Sequence, residues 1–178
     1  MIDLNHNRSS IQVSPEIVEQ WTADPDFPFL ISFPRTGSHW LRMIMELYFG
    51  VPSLVRIFYY HPSREFTCYH RHDDDLDIIR RNVIYLYRHP VRAVYSQLCY
   101  KKENPQDPER VDHWTKGYAL HLDKWLIREN FTLKKTLITY EGMKIDLAGE
   151  FEKICRHLNQ PFDLKRFDSV SPLVTRSE

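Results

Sequence analysis

The stretch Phe27-Pro28-Phe29-Leu30-Ile31-Ser32-Phe33-Pro34-Arg35-Thr36-Gly37-Ser38-His39-Trp40 decides how the rest of the chain is read. Its apolar run over 27–33, closed by Pro34, has the length and composition of a buried strand. Beyond the loop, Trp40, Met43, Ile44, Leu47 and Tyr48 recur at helical spacing until Gly50-Val51-Pro52 stops them. A loop between a buried strand and a helix start leaves backbone N–H groups unpaired at the positive end of the helix dipole. Gly37 lets the backbone come close to a ligand, Thr36 and Ser38 add hydroxyl donors, and Arg35 adds a forked cation. Such a loop suits a phosphate or a sulfate. The plainer reading is that Thr36 and Ser38 only cap a helix. No lysine stands between Gln20 and Lys101, so the G-x-x-x-x-G-K-S/T loop of ATP- and GTP-binding proteins is absent.

Working outward, 66–70 reads as a second strand and 83–87 as the clearest one, followed at once by Pro90 at a helix start. Val91, Val94, Tyr95 and Leu98 give that helix an apolar face. The turn Asn104-Pro105-Gln106-Asp107-Pro108 leads into a long helix with Trp114, Tyr118, Leu122 and Trp125 on one stripe, which reads as core. A strand over 136–140 and a helix faced by Leu147, Phe151, Ile154, Cys155 and Leu158 complete the order. Strands alternating with helices predict an α/β domain with a central, mostly parallel sheet flanked by helices. We read residues 1–26 as an N-terminal arm and 27–178 as the domain. Ligands of such sheets bind at the carboxyl ends of the strands.

Composition narrows the function. Twenty-four basic and 24 acidic residues cancel, which argues against a nucleic-acid partner and against an acidic tail. A chain of 178 residues buries enough surface to fold without a disulfide or metal. Cys68, Cys99 and Cys155 are far apart and make no C-x-x-C pair, so neither a disulfide framework nor a cysteine zinc site is expected. The first ten residues are polar, no apolar run is long enough to span a bilayer, and a cytoplasmic protein is expected. On that expectation the N-x-S/T triplets at Asn7 and Asn130 are chance matches.

Two more strand ends carry candidate chemistry. Arg88 closes the 83–87 strand and Ser96 lies about two turns into the next helix, where the two could form a second anion site. Taken alone, Arg88 reads equally as a surface ion-pair partner. The run His70-Arg71-His72-Asp73-Asp74-Asp75-Leu76-Asp77 ends the 66–70 strand. His70-x-His72-x-Asp74 partly matches the H-x-H-x-D-H of binuclear metallohydrolases, with Asp75 in place of the final histidine. An exposed turn with solvated carboxylates also fits Asp73 to Asp77.

Pro34 to Trp40 fits the form P-K/R-S/T-G-S/T-x-W/L, and Arg88, Pro90 and Ser96 fit an Arg, Pro, Ser spacing at a strand end. Together, and in this order, they resemble the PAPS-dependent sulfotransferases, as does the weaker Tyr140-Glu141-Gly142-Met143 after a strand. The resemblance covers about 29–158 and implies a P-loop NTPase-like sulfotransferase fold. It also implies transfer of a sulfuryl group from PAPS to a hydroxyl or amine of a small-molecule or carbohydrate acceptor, with no metal. Arg35, Thr36, Gly37, Ser38 and His39 would hold the 5′-phosphosulfate, Trp40 and Tyr140 would flank the adenine, and Arg88 and Ser96 would take the 3′-phosphate. Arg35 would act on the transferring group. A histidine at the end of the second strand would be the general base, with His70 preferred and His72 its alternative. The family's Gly-x-x-Gly-x-x-Lys stretch does not occur before Glu178, which reads as a minimal or truncated member. A non-catalytic nucleotide-binding module of the same fold is the competing expectation.

Overall fold

Every second residue of the central strands faces the same side, and the two sides are covered by different helices. The computed structural model describes residues 11–128 and 132–174. The Asn7 triplet, Asn130 and Phe131 of the second triplet, the first ten residues of the arm and the last four of the chain lie outside the described residues. The chain runs β1 (Ile11–Gln12), α1 (Pro15–Thr22), β2 (Phe29–Ser32), α2 (Ser38–Phe49), β3 (Arg56–Ile57), β4 (Tyr69–Arg71), β5 (Asn82–Tyr87), α3 (Pro90–Lys101) and α4 (Pro108–Leu122). A π-helical turn (Asp123–Ile127) extends α4, and then follow β6 (Lys134–Thr139), α5 (Tyr140–Ile145), α6 (Leu147–His157) and α7 (Leu164–Val170).

The main sheet has the order β4-β2-β5-β6, with all neighbours parallel. Leu30, Ile84, Leu86 and Ile138 pack on one face against Leu41, Ile44 and Met45 of α2 and Phe151 and Ile154 of α6. Phe29, Ile31, Val83 and Tyr85 pack on the other against Trp125. Burial on both faces is why these strands read as continuous apolar runs rather than alternating ones. Tyr118 and Trp125 of the aromatic stripe are buried, at 1% and 0% exposure, as core residues. Fully burying a side chain of this kind stabilises the fold by about 1.5–3 kcal/mol. Within 11–26, β1 pairs with β3, and Trp21 of α1 sets its ring against Phe27 (5.3 Å) and Phe66 (5.7 Å). No helix among the described residues is long and apolar enough to cross a membrane.

Two boundaries differ from the sequence pattern. The second strand begins at Tyr69, not Phe66, because 66–68 bonds elsewhere: Thr67 N–H donates to Pro52 O (2.8 Å) and Leu54 N–H to Cys68 O (2.9 Å). His70 therefore lies inside β4, in register with Leu30, and His72 is the first residue beyond it. Tyr140 does not end a strand but opens α5, whose N-cap Thr139 accepts from Gly142 N–H at 2.8 Å.

Candidate functional site

The carboxyl ends of β2, β4 and β5 meet the amino end of α2 and the second half of α3 around a cavity of about 490 Å³. Arg35, Gly37, Ser38, His39, Trp40, His70, His72, Arg88, Ser96 and Tyr140, all singled out from sequence, line it. Thr36 does not: it is fully buried and its hydroxyl donates to Phe33 O at 2.8 Å. It locks the loop, and only its amide is left to offer a ligand.

The loop after β2 is built from backbone. Arg35 (φ 65°) and Gly37 (φ 97°) are both left-handed, and Ser38 begins α2 directly after them. Alternation of this kind turns successive N–H groups into one concavity, with the unpaired amides of the first α2 turn beside it. Gly37 is required twice over. Its φ disfavours any side chain, and a Cβ there would stand 2.6 Å from Cδ2 of Tyr140.

The loop after β5 is built from side chains. Tyr118 Oη donates to Arg88 O (2.7 Å) and accepts from Arg88 N–H (3.0 Å), fixing the residue at the strand end. The Arg88 guanidinium lies 4.3 Å from the centre of the Tyr140 ring and donates through NH1 to Arg35 O at 3.0 Å. Its Nε is buried without a partner. Arg35 Nε reaches Ser96 Oγ at 3.4 Å, so the two loops touch. Trp40 and Tyr140 meet edge to face, with centroids 6.1 Å apart at 71°, so they form adjoining walls rather than a parallel slot.

The cavity is strongly cationic. Among the described residues, no carboxylate forms an ion pair with Arg35, Arg42, Arg56 or Arg88. His39 is pushed down to about 4, first by crowding against the protein and then by the charges of Arg42, Arg56 and Arg35. His39 as a residue is exposed, so water screens part of that effect.

The two histidines of the second strand end have opposite surroundings. His70 is buried, receives a hydrogen bond on Nδ1 from Arg42 NH1 (3.3 Å), and therefore donates through Nε2 to Ser32 Oγ (2.9 Å). Burial, and then the Arg42 charge, hold it well below the usual histidine range. Neither of its nitrogens offers a lone pair. His72 donates through Nδ1 to Ser32 O at 2.6 Å, since a carbonyl can only accept, and this leaves the Nε2 lone pair unengaged on a ring that lines the cavity. Asp73 does not orient that ring and is not solvated. Its buried carboxylate is clasped by Arg80 Nε (3.0 Å) and NH2 (3.2 Å). Asp74, Asp75 and Asp77 are the exposed carboxylates of the turn.

The metallohydrolase pattern is not assembled. His70 Nδ1 faces an arginine N–H, Asp74 points to solvent, and no group of three ligand residues is gathered for a metal among the described residues.

Several contributors escaped sequence reasoning. Arg42, 1% exposed, donates through Nε to Ser53 Oγ (2.9 Å) as well as to His70, and burial pushes it down to about 10. Glu46, one turn on, accepts from the amides of Phe58, Tyr59 and Tyr60 at 2.8, 2.6 and 2.8 Å, shaping the loop beside the cavity. Burial raises its pKa against those hydrogen bonds. The only sequence signal was a pair of charges at i and i+4 within an apolar helix face.

No protein-family model matches the chain, and no curated protein matches it. Among solved structures it is similar to mouse sulfotransferase SULT7A1 complexed with PAP, with a TM-score of 0.62 and 18% identity over 92% of this chain and 70% of that one. It is also similar to the sulfotransferase domain from the curacin biosynthetic pathway, with a TM-score of 0.56 and 15% identity over 80% of this chain and 76% of that one. The chain has the sulfotransferase fold.

Proposed function

We propose that the chain transfers a sulfuryl group from PAPS to an acceptor hydroxyl, with His72 rather than His70 as general base. The observation that carries this reading is the unengaged Nε2 of His72 in the same cavity as a backbone anion loop and three arginines, Arg35, Arg56 and Arg88, that have no carboxylate partner among the described residues. PAP bound to SULT7A1 supports PAPS as the donor.

The amides of 36–40, Ser38 Oγ and Arg35 would hold the 5′-phosphosulfate. Arg88 and Ser96 would hold the 3′-phosphate, with adenine against Trp40 and Tyr140. The acceptor oxygen forms a bond to sulfur while its proton moves to His72 Nε2. The bond from sulfur to the bridging oxygen breaks, and the electron pair leaves with the 5′-phosphate of PAP. Charge grows on that phosphate as the sulfuryl group departs, and Arg35 and the helix amides would neutralise it.

The test is transfer of labelled sulfate from PAPS to a panel of phenols, sugars and amines. Replacing His72 by Ala should slow transfer about 10²–10⁴-fold and leave PAP binding intact. Undiminished transfer by H72A would remove the base assignment. Failure of PAP to bind the wild-type chain would remove the donor.

A further inference from the structure

His121 lies on the last turn of α4, outside the cavity, and is 2% exposed. Its two ring nitrogens are both committed. Nε2 is 2.6 Å from His72 O and Nδ1 is 2.9 Å from Tyr85 Oη. The carbonyl can only accept, so Nε2 carries the proton, and Nδ1 accepts from the Tyr85 hydroxyl. Burial holds His121 down to about 4, which keeps the ring neutral and the pairing intact at ordinary pH. Tyr85 is fully buried in β5, and burial raises its hydroxyl pKa, so it remains a donor.

The consequence falls on the main chain of His72. That residue is outside β4 and has no ladder bond to hold it. Its carbonyl is fixed by His121. The next residue, Asp73, has φ 42° and is anchored through Arg80. The His72 side chain is fixed by Ser32 O. Three anchors, on α4, on β2 and in the segment before β5, thus set where Nε2 points.

Resting on the reading of His72 as base, we infer that His121 and Tyr85 form a positioning pair that aims the His72 ring at the acceptor through the His72 carbonyl. The pair does not touch the substrate. It keeps the carbonyl of His72 occupied and its peptide in one orientation, and so keeps Nδ1 on Ser32 O and Nε2 toward the cavity. A base displaced by about 1 Å can lose two orders of magnitude in rate.

The experiment compares His121→Leu, His121→Gln and Tyr85→Phe with the wild-type chain. Glutamine can still donate to the His72 carbonyl, and leucine cannot. His121→Leu should lower kcat ~10- to 100-fold with PAP affinity unchanged within about twofold, and His121→Gln should recover most of it. Tyr85→Phe should fall between them. Independently of turnover, ¹⁵N shifts of the His72 ring, assigned with His72→Gln, should show protonation at Nδ1 in the wild-type chain and a mixture of tautomers in His121→Leu. An unchanged His72 tautomer in a folded His121→Leu overturns the positioning role and leaves the base assignment standing. A changed tautomer together with full activity in H72A keeps the positioning and overturns the base. Equal loss of kcat in the Leu and Gln variants would mean that the ring only fills space, and would overturn the inference.

Discussion

The two strand-to-helix corners of the cavity do the same kind of work with different materials. The corner after β2 presents amides, and its shape depends on left-handed Arg35 and Gly37. The corner after β5 presents a guanidinium, and its shape depends on the Tyr118 hydroxyl and the Tyr140 ring. A backbone corner is nearly independent of side-chain identity except where φ or space forbids a Cβ. A side-chain corner can be dismantled one atom at a time. The first should therefore fail abruptly and the second by degrees.

The largest effect is expected at Gly37. Gly37→Ala forces a Cβ into the Tyr140 ring and a side chain into left-handed backbone, which costs about 1–3 kcal/mol for the conformation alone. Stabilisation of the chain by PAP in thermal melts should vanish. Adding Tyr140→Ala removes the clash but not the backbone strain, so the double variant should regain part of the lost stability. Full recovery would show that space, not φ, makes this glycine necessary. Next comes Arg88→Ala, which should weaken PAP by about 1.5–3 kcal/mol, roughly 10- to 100-fold, by deleting the charge-assisted contacts proposed for the 3′-phosphate. ATP has no 3′-phosphate, so its affinity should hardly change. Equal losses for both nucleotides would erase the distinction between the corners.

The backbone corner was the more legible of the two. Pro34 to Trp40 announces a buried strand, a loop and a helix start within a few residues, and every determinant is local. Arg88 and Ser96 were legible by spacing, but Tyr118 was not, because it reaches Arg88 from another helix. Phe66-Thr67-Cys68 has a strand's composition yet pairs with 52–54, so the strand that carries the two histidines starts and ends later than its composition implies. His121 follows Tyr118 by three residues and precedes Trp125 by four, so its place on the buried stripe was readable. Its partners, on β5 and beyond β4, were not. Arg42 and Glu46 were hidden because a buried charge is explained only by distant groups that satisfy it.

A smaller effect should follow from Tyr118→Phe. It removes one hydroxyl that both donates to and accepts from the Arg88 main chain, so stability should fall by about 1–3 kcal/mol. PAP affinity should fall less than in Arg88→Ala, since the guanidinium itself remains. Urea melts and PAP titrations of the two variants make the comparison. A loss of PAP binding in Tyr118→Phe matching that of Arg88→Ala would mean that the strand end, not the guanidinium, is what the second corner contributes.

The smallest effect separates the corners by acidity. His70 lies beneath the backbone corner, bonded to Ser32 and Arg42, and its pKa in the folded chain is well below the ordinary histidine value. Tyr118, beneath the other corner, is pushed up to about 12 by burial and has nothing to titrate in mild acid. A histidine kept neutral by folding binds a proton more readily once unfolded. Below pH ~6.5 the unfolded state therefore gains protons that the fold refuses, and stability falls as pH falls, by up to about 1.4 kcal/mol per pH unit for each such group. Buried His121 and His157, both held down to about 4, add to the same slope, which should flatten once the pH passes below their folded values. His70→Gln removes one titrating group, so the variant is less stable at neutral pH but should lose stability less steeply between pH ~6.5 and ~4.5. Urea melts across that range measure both slopes. Identical slopes would show that the His70 ring accepts a proton in the folded chain as easily as in the unfolded one, and the closed hydrogen bonding on which the proposal of His72 over His70 rests would have to be abandoned.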